Sequence, residues 1–209
     1  MMISDIKINN AEIAFFDFDG TITSKDTLAE ILKFIKGKSN YYSGIFILSP
    51  IIVLYKLGIL SNHRAKELLL MYFLKGFDAN NFNALCREFS EKKLPHLLKK
   101  SALHEIRRHL QNKTPVVIIS ASAENWISPW CSKYNIECIA TKLEVKDGKL
   151  TGKIEGRNCS GKEKVRHIQT KYKLSMYKKI YAYGDSREDL PMLSLATEKN
   201  YKPFRKFSY

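Results

Sequence analysis

The sequence predicts an α/β protein: a doubly wound parallel sheet, a long helical insertion after the first strand, and a β-hairpin. Three observations predict it. An apolar run from Ile13 to Phe18, broken only by Asp17 and followed by Gly20, reads as a buried strand that ends in a sharp turn. From Asp26 to about Asn112, apolar residues recur at three- and four-residue spacing with no strand-like stretch. From Pro115 onward, strand-like and helix-like segments alternate, as they do when helices cover both faces of a parallel sheet.

Residues 1–12 are short and polar. After the first strand, Asp26-Thr27 offers a helix start ahead of Leu28, Ile31, Leu32 and Ile35. Helical spacing returns at Ala65–Leu74, Phe82–Phe89 and Leu97–Leu110. Val116–Ile119 reads as a strand ending at Ser120, Ala123–Lys133 as a helix, and Ile136–Ala140 as a strand. Period-two residues on either side of Asp147-Gly148 mark the hairpin. Gly161–Tyr172 reads as a helix with Val165 and Ile168 inward, and Ile180–Tyr183 as a strand ending at Gly184-Asp185. A short helix about Pro191 and a basic tail, Lys199–Lys206, follow. Residues 1–25 and 113–209 are therefore expected to form a core, and 26–112 a helical cap.

A net charge of +14, from 35 Lys and Arg against 21 Asp and Glu, favours an anionic partner. The basic residues are scattered, and no RNP-like, zinc-finger or basic-helix motif gathers them, so no nucleic acid is expected. Four cysteines without CxxC spacing, and no signal peptide, suit reduced thiols in the cytoplasm. The oddest segment is YYSGIFILSPIIVLY (41–55), fifteen uncharged residues. It is shorter than the ~20 apolar residues of a straight bilayer crossing, and Pro50 would bend it. It reads either as a buried cap hairpin or as a surface-lying pair that places residues 41–60 peripherally on an anionic membrane face. Lys33, Lys36, Lys38, Lys56, Arg64 and Lys66 would then meet the head groups.

In open parallel sheets ligands bind beyond the carboxyl ends of the strands. Three predicted strands end in a reactive polar residue: Asp17, Ser120 and Asp185. Side chains alternate along a strand, so Asp17 and Asp19 share a side, and two close carboxylates call for a cation between them. The set matches what phosphoryl transfer needs. Asp17 is the candidate nucleophile, and Asp19 the general acid and base, its main-chain carbonyl also facing the metal. Asp185, with Asp189 beside it, would complete the ligands of Mg2+. Ser120 and the following amide of Ala121 would bind phosphate, with Thr21 a further donor. Lys162 would bring positive charge to the phosphate, with Lys164 its rival.

His104 and His109 lie about 140° apart on a helix and cannot share a metal, so both read as surface residues. Trp126 and Trp130 could line an entrance but are expected to pack against the sheet.

These segments, in this order, closely resemble the haloacid dehalogenase superfamily of phosphohydrolases over nearly the whole chain. FFDFDGT (15–21) is similar to its first motif, VVIISAS (116–122) to its second, SGKEKV (160–165) to its third and YAYGDSREDL (181–190) to its fourth. The resemblance implies a Rossmann-like core and an aspartyl-phosphate route, and gives Asp17, Asp19, Ser120, Lys162, Asp185 and Asp189 the roles set out above. The insertion lies where the subfamily including phosphoserine phosphatase carries its helical cap. Ala121 in place of glycine and the Thr23–Thr27 segment depart from phosphoserine phosphatases, and the apolar run is similar to the phosphatidylglycerophosphatase C branch. The expected substrate is thus a phosphomonoester, either a membrane phospholipid phosphate or a small soluble ester such as a phosphoserine-like compound or a sugar phosphate. The rival classes are a basic nucleic-acid-binding protein and a non-catalytic membrane-binding module.

Overall fold

The computed structural model describes residues 11–205; Lys206 of the expected basic tail lies outside them. β1 (Glu12–Phe16) sits between β2 (Val116–Ala123) and β5 (Lys179–Gly184), parallel to both, with Phe16 level with Ile118 and Tyr183. β3 (Glu137–Lys146) runs parallel beyond β2, β4 (Lys149–Glu155) folds back on it, and β6 (Glu198–Tyr201) lies parallel beyond β5. The strand order is β4-β3-β2-β1-β5-β6. The chain thus starts in mid-sheet, builds outward to one edge, then returns to build the other, leaving a crevice at the carboxyl ends beside β1.

The alternation along β1 divides the core. Ile13 and Phe15 pack with Ile168 and Met192 from α8 (Lys162–Lys171) and α9 (Leu190–Ser194). Ala14 and Phe16 face the layer of α6 (Lys100–Gln111) and α7 (Glu124–Lys133), where both tryptophans are buried. β6, read from sequence as basic tail, is an edge strand whose Glu-Lys-Asn-Tyr carries no apolar alternation.

The helical region comprises α1 (Thr27–Lys36), α2 (Lys38–Ile47), α3 (Ser49–Lys56), α4 (Asn62–Leu74) and α5 (Ala79–Lys92). Asp26, Ser61 and Asp78 cap α1, α4 and α5 by accepting main-chain N–H bonds. The apolar run divides at Leu48, ahead of Pro50, into two short helices. Gly44 lets α2 lie against α4, since a Cβ there would come within 2.4 Å of the Phe73 ring. No helix among the described residues is long and apolar enough to cross a membrane.

Two segments join this region to the sheet. Ser24 N–H donates to Leu97 O and Lys99 N–H to Ile22 O, so the chain is extended at Leu98 and α6 begins only at Lys100. Although α6 lies within the expected 26–112 insertion, it packs on the sheet. There His109 is buried, correcting the expectation of a surface histidine. Its Nε2 lies 2.8 Å from the Tyr183 hydroxyl, which donates at 2.6 Å to Glu105. With that hydroxyl's proton directed at Glu105, Nε2–H is the donor to the tyrosine oxygen, and burial, then Arg108, lowers the ring's pKa from its ordinary value.

Hydrogen bonds from Arg108 hold the Glu105 carboxyl at about 2, below its ordinary 4.5. A depressed carboxylate contributes stability above its unfolded value and loses it as pH falls through the folded one. Wild type should therefore exceed Glu105→Gln by roughly 1–2 kcal/mol near neutrality, after allowance for partial exposure. Urea titrations should show that difference narrowing as pH drops below 4.5; a difference independent of pH would refute the assignment.

Candidate active site

The carboxyl ends of β1 and β5 bring the distant aspartates together. Asp17 N–H donates to Tyr183 O, which sets the end of β1 beside the turn that carries Asp185. Asp17, Asp185 and Asp189 each place an oxygen within 4.8 Å of the others. Gly20 makes this approach available: its φ is +80°, and a Cβ there would lie 2.5 Å from Asp185 Oδ2. Thr21 Oγ1 donates to Asp185 Oδ1 at 3.3 Å. Asp189 is oriented by the turn it belongs to, its Oδ2 accepting from the amides of Asp185 and Ser186 and from the Ser186 hydroxyl.

The buried cation of the site is Lys164. Its Nζ donates at 2.6 Å to Asp17 Oδ1 and at 2.6 Å to Asp189 Oδ1. Lys162, the preferred candidate from sequence, is exposed and lines a neighbouring hollow with Ser61, His63 and Arg157. The reason is helical geometry. Lys164 precedes the buried Ile168 by one turn and shares its face, whereas two residues correspond to about 200° of rotation and turn Lys162 away.

Asp19 is held differently. Its Oδ1 accepts from Thr27 N–H at 2.7 Å and its Oδ2 from the Ser122 hydroxyl at 2.5 Å. Trp126 Nε1–H donates to Thr27 Oγ1, and Thr27 Oγ1 to Ser122 Oγ, so a buried chain of donors ends on this carboxylate. The Asp19 side chain, expected beside the metal, stands outside the cluster of three aspartates.

Burial pushes the Asp17 carboxyl up to about 7, even against the pull of Lys164. Asp185 is raised by burial and then by Asp189, whereas Asp189, also buried, is drawn below its ordinary value by Lys164. Burial, then Asp26, raises Asp19. Lys164 pairs with Asp17 and Asp189 but not with Asp185, and a cluster of three carboxylates is a donor set that a hard divalent cation fits.

Asp17 and Asp19 open into a cavity of 380 Å³. Ala121 and Ser122 line it, whereas Ser120 and Thr21 lie behind; the Ser120 hydroxyl accepts the Ser122 N–H at 3.0 Å. Leu28, Leu48, Ile51, Ile52, Tyr55 and Leu69 form the opposite, apolar wall. Lys66 enters from α4, donating to Ala121 O and to Asn158 Oδ1, and burial pushes its ammonium down to about 8. It was expected at head groups on the surface; α4 turns it inward.

Residues 14–194 match the haloacid dehalogenase-like hydrolase family. The chain belongs to that family. This hydrolase is 31% identical to Protein CicA of Caulobacter vibrioides, over 91% of this chain and 85% of that protein. It is 29% identical to a probable phosphatase of Mycobacterium tuberculosis, over 86% of this chain and 64% of that protein. A solved structure described as a phospho-aspartyl intermediate analogue of phosphoserine phosphatase superposes with a TM-score of 0.65 at 20% identity, covering 90% of this chain and 84% of that one.

The hydrolase also has site residues that sequence reasoning missed. Thr27 was taken only as a helix start and Ser122 only as part of a motif, and neither carries an isolated signal. Lys99 donates to Gly20 O behind the aspartates, and its position at the start of α6 gave no hint of this. Asn62 joins α4 to the segments that follow β5 and β4, donating to Glu188 Oε1 at 2.7 Å and accepting from Asn158 Nδ2 at 3.0 Å.

Proposed function

We propose that this phosphatase-type hydrolase cleaves phosphomonoesters through an aspartyl-phosphate on Asp17, with helices α1–α5 acting as a cap over the site. The observation that carries the reading is the strand-end cluster, in which a buried carboxylate faces the cavity, Lys164 holds it, and two further carboxylates stand close by. Asp17, Asp185 and Asp189, with the Asp19 carbonyl, would hold Mg2+, which when bound neutralises charge on the phosphoryl oxygens. A carboxylate oxygen of Asp17 attacks phosphorus in line, and the bond to the leaving oxygen breaks. Asp19, its carboxyl raised by burial and fixed by Thr27 and Ser122, gives that oxygen a proton. The Asp19 carboxylate then takes a proton from water, the water attacks phosphorus, and phosphate leaves with Asp17 restored. Ser120, Ala121 and Thr21 remain the proposed phosphate-side groups; of these Ala121 lines the cavity with Ser122, and Ser120 and Thr21 stand behind them.

For the leaving group we favour the phosphate of a membrane lipid over a small soluble ester. The apolar wall opposite Asp17 supports this, since a polar leaving group would gain nothing there. Lys66 in the same cavity offers a cation to an anionic group beside the ester. With Mg2+, the enzyme should release phosphate from an aryl phosphate and from phosphatidylglycerophosphate in mixed micelles. EDTA should suppress both. A few buried methylenes suffice for kcat/KM on the lipid to exceed that on phosphoserine by about tenfold or more. Preference for soluble esters would overturn the lipid reading, and no release from any ester would overturn the enzymatic one.

A further inference from the structure

The helical pair α2–α3 presents apolar side chains on two opposite sides. Leu48, Ile51, Ile52 and Tyr55, at the three- and four-residue spacing of one helical face, line the cavity. The other side is uncovered. Phe46 is 81% exposed, Leu57 68% and Ile59 70%, with Ile47, Val53 and Leu54 also exposed among them. Isolated exposed apolar residues need no explanation, but these six within residues 46–59 mark a surface that something covers.

Charge indicates what. Between Glu30 and Glu67 there is no acidic residue and there are six basic ones. Lys33 is taken up by Glu30 and Lys66 by the cavity, whereas Lys38 and Lys56, at the two ends of the pair, are exposed. A second copy of the chain meeting this surface about a two-fold axis would bring like charges together with no carboxylate from the patch to pair them. A layer of anionic head groups over hydrocarbon supplies both the anions and the apolar medium. Helices of ten and eight residues span about 15 and 12 Å, far less than the ~30 Å hydrocarbon core, so the pair would lie in the interface rather than cross it.

We infer that α2–α3 is a docking surface for an anionic phospholipid bilayer, with Phe46, Ile47, Val53, Leu54, Leu57 and Ile59 in the acyl boundary and Lys38 and Lys56 at the head groups. The inference deepens the lipid-phosphate reading: α3, with Leu48 ahead of it, would sit in the membrane beside α2 and walls the cavity on its other side, so a lipid could enter without leaving the interface.

The test is co-sedimentation of the full chain with phosphatidylcholine vesicles, with and without phosphatidylglycerol, alongside sedimentation velocity and aryl phosphate turnover. Wild type should partition onto the anionic vesicles, and less so as salt rises. Phe46→Glu/Leu57→Glu should bind about tenfold or more weakly and keep aryl phosphate turnover within about twofold, since neither residue touches the cavity. Lys38→Glu/Lys56→Glu, which leaves the apolar surface intact, should lose the preference for anionic vesicles, so the inference stands or falls even where the first variant fails to fold. Wild type remaining in the supernatant, unchanged binding in these variants, or a dimer that Phe46→Glu/Leu57→Glu dissociates would each overturn it. Vesicle binding without release of phosphate from any ester would leave docking intact and refute the catalytic reading; turnover without binding would do the reverse.

Discussion

Asp17→Asn is expected to abolish phosphate release, a loss of roughly 10⁴-fold or more in kcat. The amide keeps the shape of the carboxylate and can still lie beside Lys164, but it has no anionic oxygen to attack phosphorus. Loss of activity through unfolding predicts something different. Burial pushes the Asp17 carboxyl up to about 7, far above the unfolded 3.8. In that direction of shift, the ionised group costs the metal-free fold stability as pH rises from the unfolded value through the folded one. Removing the charge should therefore leave the melting temperature in EDTA at pH 8 unchanged or higher. Calorimetry alongside the phosphate assay checks both halves, and an inactive variant that also melts early would assign Asp17 a structural role instead.

Lys164→Met should cost activity by roughly 10²–10³-fold, less than Asp17→Asn, whereas Lys162→Met should stay within about threefold of wild type. Lys164 is the cation shared by Asp17 and Asp189, and its removal strands two buried carboxylates. A buried pair broken on one side costs about 3–5 kcal/mol of stability, and loss of a charge aimed at the reacting group typically costs 10²–10³ in kcat, to order of magnitude. Lys162 is exposed on the other side of the same helix. Kinetics and urea unfolding of both variants decide between them; a Lys162 variant as impaired as the Lys164 one would contradict the geometry.

The difference between those lysines shows where legibility in the sequence ends. The sheet was readable because its physics is local: alternation through Ile13–Phe16, apolar runs at Val116–Ile119 and Ile180–Tyr183, and polar residues where each run stops. That Asp17, Asp185 and Asp189 meet follows from parallel strands ending on one side. Which lysine joins them depends on the rotation of α8, and the clue was present, since Lys164 stands one turn before Ile168. The donor chain Trp126–Thr27–Ser122–Asp19 was not readable. The pairing of β2 with β3 shifts between Ser120 and Ala123, and such an irregularity breaks the alternation from which side-chain direction is inferred. β6 was missed because a charged edge strand lacks apolar periodicity, and His109 because a histidine carries no sign of the tyrosine beneath it, although it stands three residues after Ile106 on the buried face of α6.

One measurement reaches the central claim most directly: whether phosphate passes through a covalent bond to residue 17. Enzyme turning over an aryl phosphate is quenched in acid and treated with borohydride, which reduces an acyl phosphate to an alcohol, and the tryptic peptides are sequenced by mass spectrometry. Homoserine at position 17, present only when substrate is added and absent from Asp17→Asn, is the predicted result. Active enzyme that leaves Asp17 unmodified, or that carries the reduced residue at position 19 instead, would contradict the account.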